Sequence, residues 1–263
     1  MKTIRQPAVS GQFYPNDPAT LQTLVQQYLQ QASTTDCTIP RALIAPHAGY
    51  IYSGAVAGAA YACLDQAKAR IHRIVLLGPA HFVHLTGLAL PSVDYFATPL
   101  GDIRIDDAMR QEALQLPGVI LSDAAHEKEH SLEVQLPFLQ ILFNEFSILP
   151  IAVGHCAPEA IATLLAGFVD DPHTLIVISS DLSHYHAYEE AKQLDLATSE
   201  AILNMRLEKV QSAGACGAVP IRGLLACAKV RHWHSRLIAL CNSGDTAGPK
   251  DRVVGYGAYH FYE

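Results

Sequence analysis

The stretch Arg41-Ala-Leu-Ile-Ala-Pro-His-Ala-Gly-Tyr50 decides the fold. Its apolar run, Leu43 to Ala45, shows no polar alternation, which is typical of a strand buried on both faces. Pro46 has no N–H to give to a ladder and ends the strand, so His47 follows at the carboxyl end. In open α/β sheets, ligands bind just outside the carboxyl ends of the strands. The stretch therefore predicts a buried strand that delivers a histidine to a binding site.

The same pattern occurs twice more along the chain. It recurs in Ile74-Val-Leu-Leu-Gly-Pro-Ala-His81 and in Leu175-Ile-Val-Ile-Ser-Ser-Asp-Leu-Ser-His184. Patterns typical of strands and helices alternate over the whole length, with no low-complexity linker between them. This alternation predicts an α/β fold, a three-layer α/β/α sandwich around a mainly parallel or mixed sheet, in one domain over residues 1–263.

Composition narrows the classes of function. The chain has 263 residues, of which 50% are hydrophobic and 16% charged, with a formal net charge of −7. An acidic balance argues against nucleic acid as a partner, because phosphate binding needs a basic face. No apolar run is long enough to span a membrane, and the amino-terminal residues lack the apolar core of a signal peptide. Six scattered cysteines without a CxxC pair predict reduced thiols and a cytoplasmic location.

The histidines at the ends of the first two strands predict a metal site. Either His47 or His81 alone would be read as a structural loop residue, but two at equivalent strand ends favour a shared site. Two imidazoles and one carboxylate form a facial triad that leaves coordination positions open on Fe(II). Asp181 and His184 follow the third strand and are candidates for catalytic acid, base or further ligand. The alternative for Asp181 is that it only caps the following segment.

We predict Asp245 as the third ligand. The apolar strand from Leu237 to Leu240 leads into the turn Asn242-Ser-Gly-Asp245, whose glycine gives the backbone freedom to aim the next side chain. Cys241 is the rival, and its thiolate would shift metal preference toward zinc or Cu(I). The alternative is that Asp245 only stabilises its own turn, as aspartate in glycine-containing turns commonly does.

Other candidates are less specific. Glu129, His130 and Glu133 lie at the start of a helical stripe, where acidic residues often complement only the helix dipole. Cys216 lies before another predicted helix, where a thiolate is favoured, but a buried and inert cysteine is the equal alternative.

Five ordered motifs carry a resemblance to a known family. They are Ala45-Pro-His-Ala-Gly-Tyr-Ile-Tyr-Ser-Gly54, Leu77-Gly-Pro-Ala-His81, Glu129-His-Ser-Leu-Glu133, Ser179-Ser-Asp-Leu-Ser-His184 and Cys216-Gly-Ala-Val-Pro220. Together they resemble the Memo family, whose prokaryotic members are known as AmmeMemoRadiSam system protein B. The likeness extends over nearly the whole chain.

The resemblance implies a fold and a pocket. The family is similar in fold to the catalytic subunits of class III extradiol dioxygenases, which use non-haem Fe(II). It implies a metal pocket on His47 and His81, and Phe13 and Tyr52 match positions that line it. Eukaryotic relatives offer a cysteine as third ligand, but counting back without gaps from Val253 places Thr246 there. In this ungapped alignment the chain has no cysteine at the position of the third ligand, so the resemblance does not imply a thiolate ligand.

The resemblance implies a function less sharply than a fold. The animal relative mediates ErbB2-driven cell motility and is linked to phosphotyrosine-peptide binding and to iron or copper redox handling. We therefore expect a metal-binding protein with a dioxygenase-like pocket, a redox role and Fe(II) as its ion, with copper or zinc as alternatives. The competing hypotheses are a non-catalytic module that binds a peptide or metal in the same pocket, and a metal-dependent hydrolase. In each case a small molecule or peptide would occupy the metal cleft.

Overall fold

The structure is a computed structural model that describes residues 2–32 and 38–263. Its strands are β1 (Ile4–Arg5), β2 (Ala42–Ala45), β3 (Arg73–Pro79), β4 (Leu88–Leu90), β5 (Tyr95–Thr98), β6 (Gly101–Ile105), β7 (Val119–Leu121), β8 (Ser147–Val153), β9 (Thr174–Ser179), β10 (His184–His186), β11 (His234–Asn242) and β12 (Val253–Tyr262). Its α-helices are α1 (Pro18–Gln31), α2 (Tyr50–Tyr61), α3 (Asp107–Ala113), α4 (Ala124–Glu127), α5 (Leu136–Leu142), α6 (Pro158–Ala166), α7 (Tyr188–Leu203) and α8 (Ala218–Val230). None of these helices has the length and apolarity needed to cross a membrane.

Four parallel strands form the centre of the sheet, in the order β8-β3-β9-β2. Every residue of β2, β8 and β9 is buried, as the unbroken apolar runs predict. The three strands with the recurring histidine pattern are β2, β3 and β9, and they are neighbours. Because they are parallel, their carboxyl ends lie at the same edge of the sheet.

The alternation of side chains along the central strands produces the three layers. Val75 and Leu77 face a core that includes residues of α6 and α8, whereas Ile74 and Leu76 face a second core with residues of α1 and α2. Successive residues of a strand point to opposite faces, so a continuous apolar run is buried only if both faces are covered. The predicted three-layer α/β/α fold is therefore confirmed.

Antiparallel strands extend this centre and make the sheet mixed. β12 pairs antiparallel with β2, β11 and β10. In the pairing with β10, His184 lies opposite Val254. This pairing holds the segment after β9 beside the same edge of the sheet.

One local prediction, that of six reduced thiols, can be compared with the structure. Cys63 is disulfide-bonded, which makes the prediction of six reduced thiols wrong at that residue. Cys156, Cys216, Cys227 and Cys241 are free, and Cys37 lies outside the described residues.

Candidate metal centre

A cavity of about 610 Å³ lies where the three histidine-bearing segments meet. Six of the predicted site residues line it, namely Phe13, His47, Tyr52, His81, Asp181 and His184. The ring centroids of His47 and His81 are 5.3 Å apart. β2 and β3 are parallel but do not pair with each other, because β9 lies between them. Their histidines nevertheless reach one place at the shared edge of the sheet, as the strand ends predict.

Hydrogen bonds fix the ring of His47 and its tautomer. The Ser179 hydroxyl lies 2.6 Å from the carbonyl oxygen of Ser131 and must donate there, since a carbonyl oxygen only accepts. The same hydroxyl accepts from Nε2 of Gln135 at 2.8 Å and lies 2.9 Å from Nδ1 of His47. A serine hydroxyl has one proton, so Nδ1 of His47 carries the proton in this contact. The lone pair of Nε2 is left facing the cavity, and burial lowers the pKa of the ring, which keeps it neutral.

A buried carboxylate holds the ring of His81 in the same tautomer, with the proton on Nδ1. Nδ1 of His81 lies 2.9 Å from Oε1 of Glu129, and the backbone N–H of His81 donates to Oε2 at 2.6 Å. Burial acts to raise the pKa of Glu129, but these bonds, together with the N–H of Ser131, lower it to about 2. The carboxylate is therefore ionised and accepts the Nδ1 proton. A carboxylate behind a histidine is a common support for metal ligands, because it orients the ring and frees Nε2.

Cys216 supplies a sulfur at the same point. Its Sγ lies 3.3 Å from Nε2 of His47 and accepts from the backbone N–H of Asp181 at 3.3 Å. Cys216 stands two residues before α8, and its neighbour Gly217 packs its backbone against Ser180, where a Cβ would lie 2.6 Å from the serine. Burial, followed by the charge of Asp181, raises the pKa of the thiol to about 12. Without a metal this group is therefore a neutral thiol, not the thiolate that a helix start favours.

The three donor atoms form a set that fits one metal ion. Ligand atoms of His47, His81 and Cys216 all lie within 4.8 Å of one another. Metal–nitrogen and metal–sulfur bonds of about 2.0–2.3 Å hold two ligands of a shared ion at most about 4.6 Å apart, so the donor atoms are close to the spacing that one ion needs. Two neutral imidazoles and a cysteine sulfur suit borderline transition metals rather than Mg²⁺ or Ca²⁺.

Comparisons with known proteins agree with this architecture. The profile of the family described as Memo-like protein matches residues 5–260. A MEMO1 family protein of Methanosarcina barkeri is 38% identical over 273 residues, covering 97% of this chain and 98% of the relative. A MEMO1 family protein of Aquifex aeolicus is 37% identical over 268 residues, covering 96% and 97%.

The chain belongs to the Memo family. Among solved structures, an uncharacterized protein from Escherichia coli has a similar fold, with a TM-score of 0.53 at 12% identity, covering 82% of this chain and 98% of that one. At this identity the likeness concerns the fold alone.

Asp245, predicted as the third ligand, does not lie with the histidines, whereas Cys216 does. Both carboxylate oxygens of Asp245 have partners elsewhere, one in its own turn and one on α7. One oxygen accepts from the backbone N–H of Asn242 at 3.0 Å in a capping box, and the other accepts from the hydroxyl of Tyr188. The alternative weighed for Asp245, stabilisation of its own turn, describes these contacts.

The two other candidates for the third ligand also lie apart from the cavity. Cys241 is half-buried in β11, where it pairs with Tyr256, and burial raises the pKa of its thiol to about 11. Thr246 donates its hydroxyl proton to the carbonyl of Ser243 at 3.1 Å. Neither side chain is among the described residues that line the cavity.

Asp181 and His184 stand beside the donor set. Oδ1 of Asp181 accepts from the backbone N–H of His47 at 2.8 Å, and Oδ2 lies 4.0 Å from Nε2 of that ring. Burial raises the pKa of this carboxyl. Nδ1 of His184 donates to the carbonyl of Leu182 at 2.8 Å, which leaves Nε2 available to a molecule in the cavity. Asp181 thus adjoins the metal ligands, and His184 adjoins the space in front of them.

His130 is a fourth histidine of the cavity. Its ring stacks on His81 with centroids 4.7 Å apart, and its buried Nδ1 has no hydrogen-bond partner in the described chain. His81, Glu129 and His130 form a second group with metal-ligand spacing. We favour the group with Cys216, because both oxygens of Glu129 already accept hydrogen bonds that orient His81.

Sequence reasoning missed the residues that orient the ligands. Glu129 was read as a complement to a helix dipole, and Ser179 and Gln135 were assigned no role. All three lie within or beside the quoted motifs, so the motifs themselves held a signal. For Cys216 the signal was the glycine beside it, which permits the close approach to Ser180 that places the sulfur.

Proposed function

We propose that this chain is a mononuclear metal protein that carries out redox chemistry on a small molecule. The observation that carries the proposal is that one ligand atom each of His47, His81 and Cys216 lies within 4.8 Å of the other two, and that both histidines line an open cavity. Both imidazoles are held in the tautomer that a ligand needs. Three protein ligands leave coordination positions for an exogenous molecule.

Fe(II) is the ion that we propose, with copper and zinc as alternatives. Two imidazoles and one anion are the donor set of non-haem Fe(II) proteins, although the anion there is a carboxylate. A thiolate in that place raises the affinity for copper and zinc, so the sulfur makes both stronger rivals than an Asp245 ligand would have done. When bound, a redox ion of this kind would supply electron transfer to or from O2 or an organic molecule.

The protein's own groups would bind the molecule and move its protons. Phe13 and Tyr52 wall the cavity and exclude water from part of it. We assign His184 to proton transfer, because its Nε2 is the ring nitrogen left without a backbone partner. The carboxylate of Asp181 accepts from the backbone N–H of His47, and the backbone N–H of Asp181 donates to Sγ of Cys216. Asp181 would thereby position two of the proposed ligands.

A zinc hydrolase is the second candidate, and two observations favour it. The sulfur suits zinc, and His184, which lines the cavity, would serve as the base for hydrolysis if zinc were held there. A module that binds a peptide or metal without turnover is the third outcome of the same experiment.

Anaerobic purification, metal analysis and activity assays would test the proposal. The parent protein, Cys216→Ser and Cys241→Ser should be compared with Fe(II), Cu(I) and Zn(II) added separately. We expect one ion per parent chain, unchanged in Cys241→Ser and lost in Cys216→Ser, with O2 uptake in the presence of candidate catechols or thiols. Zinc with ester or amide cleavage would favour the hydrolase, and no metal in the parent protein would refute the proposed centre.

A further inference from the structure

The cavity combines aromatic walls with the guanidinium of Arg252. Its lining includes Phe13, Tyr52, Tyr185 and Tyr256. Among the described residues that line it, Arg252 is the sole lysine or arginine. Aromatic faces bind planar rings, and a guanidinium binds planar anions through its fork of N–H donors.

Arg252 is free to bind a ligand. It directly precedes β12, in which Val254 lies opposite His184. The guanidinium carbon lies 5.2 Å from the ring centroid of Tyr185. No carboxylate of the described chain forms an ion pair with Arg252, unlike Arg231, which is held by Asp170.

Tyr185, on which Arg252 stacks, has an unusual backbone. Its φ angle is +63°, a left-handed conformation that bulky residues rarely adopt. Its neighbours His184 and His186 both pair with β12, and the register shifts between them. Tyr185 is 64% exposed and lines the cavity. Such backbone strain persists where the surrounding structure enforces it, and it concentrates at ligand sites.

We propose that Arg252, stacked on Tyr185, binds the carboxylate of an aromatic acid whose ring lies among the aromatic side chains of the cavity. The inference rests on the proposed function for its orientation, in which the far end of the ring faces the metal ligands. One guanidinium neutralises one carboxylate and forms two parallel hydrogen bonds with it. A phosphate ester carries a second negative charge, for which the described lining offers no second lysine or arginine. Arg252 would thereby select monoanionic ring acids over neutral and dianionic ones.

Calorimetric titrations on the zinc-loaded protein would test this selection without turnover. The probes are benzoate, benzyl alcohol, phenyl phosphate and acetate, which separate the carboxylate, the ring and the charge. Each is titrated into the parent protein, Arg252→Gln and Lys250→Gln. Lys250→Gln is the matched control, because it removes the same charge from the same loop but lies over Tyr188, outside the cavity lining. Zinc content is measured in every variant.

We expect benzoate to bind the parent protein more tightly than the other three probes. Arg252→Gln should weaken benzoate on the order of 10- to 100-fold, the usual range for a charge-assisted hydrogen-bonded pair, and should leave benzyl alcohol unchanged. Lys250→Gln should bind benzoate like the parent. Each of three results would overturn the proposal. They are an unchanged benzoate affinity in Arg252→Gln, stronger binding of phenyl phosphate than of benzoate, and no binding of benzoate to the parent protein. Loss of zinc from the parent would instead refute the metal centre, and benzoate can then be titrated into the metal-free protein, where selection by Arg252 should persist.

Discussion

Replacing Glu129 by glutamine tests whether the buried carboxylate sets the tautomer of His81. Three N–H donors converge on its two oxygens, from the backbone and ring of His81 and from the backbone of Ser131. A glutamine amide has one acceptor oxygen and one NH2 group. If the NH2 faces the backbone N–H of His81, a buried donor loses its partner. If it faces Nδ1, the ring must take its proton at Nε2, the atom needed for the metal.

The size of the two effects follows from the pKa shift of Glu129 and from the usual effect of residues that support metal ligands. The pKa of Glu129 falls from 4.5 to about 2 because of these bonds, which corresponds to about 3 kcal/mol of stability. A depressed carboxyl pKa contributes this stability fully above pH 4.5 and loses it as the pH falls toward 2. Supporting residues of this kind typically change metal affinity 10- to 100-fold. We therefore expect Glu129→Gln to bind zinc roughly 10- to 100-fold more weakly and, without metal at neutral pH, to lose about 2–3 kcal/mol of unfolding free energy.

Two assays and one control complete the test of Glu129. Zinc affinity is measured by competition with a chelator, and stability by urea unfolding of the metal-free protein at several pH values. The stability difference from the parent should shrink by more than half near about pH 3. Glu127→Gln is the control, because Glu127 is an exposed carboxylate two residues away. Zinc affinity of Glu129→Gln within about threefold of the parent, less than about 0.7 kcal/mol, would show that the carboxylate does not orient the ligand.

Three further predictions concern the ligand set. Asp245→Ala should keep the parent's metal stoichiometry and lose only turn stability, by about 1 kcal/mol, the usual effect of removing a cap; metal loss in chelator competition would restore Asp245 as a ligand. Metal affinity should rise about tenfold per pH unit from pH 7 to 9, because binding displaces the proton of Cys216, whose pKa is about 12; titration with zinc at fixed pH values should give that slope, and a flat profile would exclude the thiol. His184→Gln should retain the metal and lose turnover, and elemental analysis showing metal loss would place His184 among the ligands.

Much of the fold follows from residues that lie close together in the chain. The runs in β3 and β9 are apolar without a break, so two covered faces and parallel neighbours could be inferred from the residues themselves. Proline or a polar residue at each strand end then marked where the histidines emerge. The convergence of His47 and His81 could be predicted from strand direction, because the carboxyl ends of parallel strands lie at one edge of the sheet. The position of β9 between β2 and β3 could not be predicted.

The position of the Cys216 sulfur beside the histidines could not be predicted in this way. Cys216 and His47 are 169 residues apart, and the loop before α8 brings them together through contacts with Ser180 and Asp181. Asp245 was the stronger candidate by local pattern, but the same pattern allowed the turn to satisfy its carboxylate internally. A turn residue is a ligand only if its oxygens are not needed by the turn, and that depends on contacts such as the one with Tyr188.

The placement of Phe13 shows a similar limit at the amino-terminal segment. Glu133, which is fully buried, accepts hydrogen bonds from Arg5, from the N–H groups of Ala8 and Val9, and from the hydroxyl of Tyr14. These contacts join residues more than a hundred positions apart and hold the segment beside the cavity. An acidic residue near a helix start gives no sign of such a role, since burial of a charge is decided by its partners.

Three histidines of the cavity have a hydrogen-bond acceptor at Nδ1 of the ring. His47, His81 and His184 each present Nδ1 to an acceptor, supplied by Ser179, Glu129 and the carbonyl of Leu182. The exposed His173 also has such a contact, to the carbonyl of Arg70, but lies elsewhere. An acceptor behind Nδ1 is therefore not sufficient to mark a site. His47, His81 and His184 differ from His173 because the sheet topology brings all three to one cavity. The acceptors at Nδ1 then leave Nε2 of each ring available there.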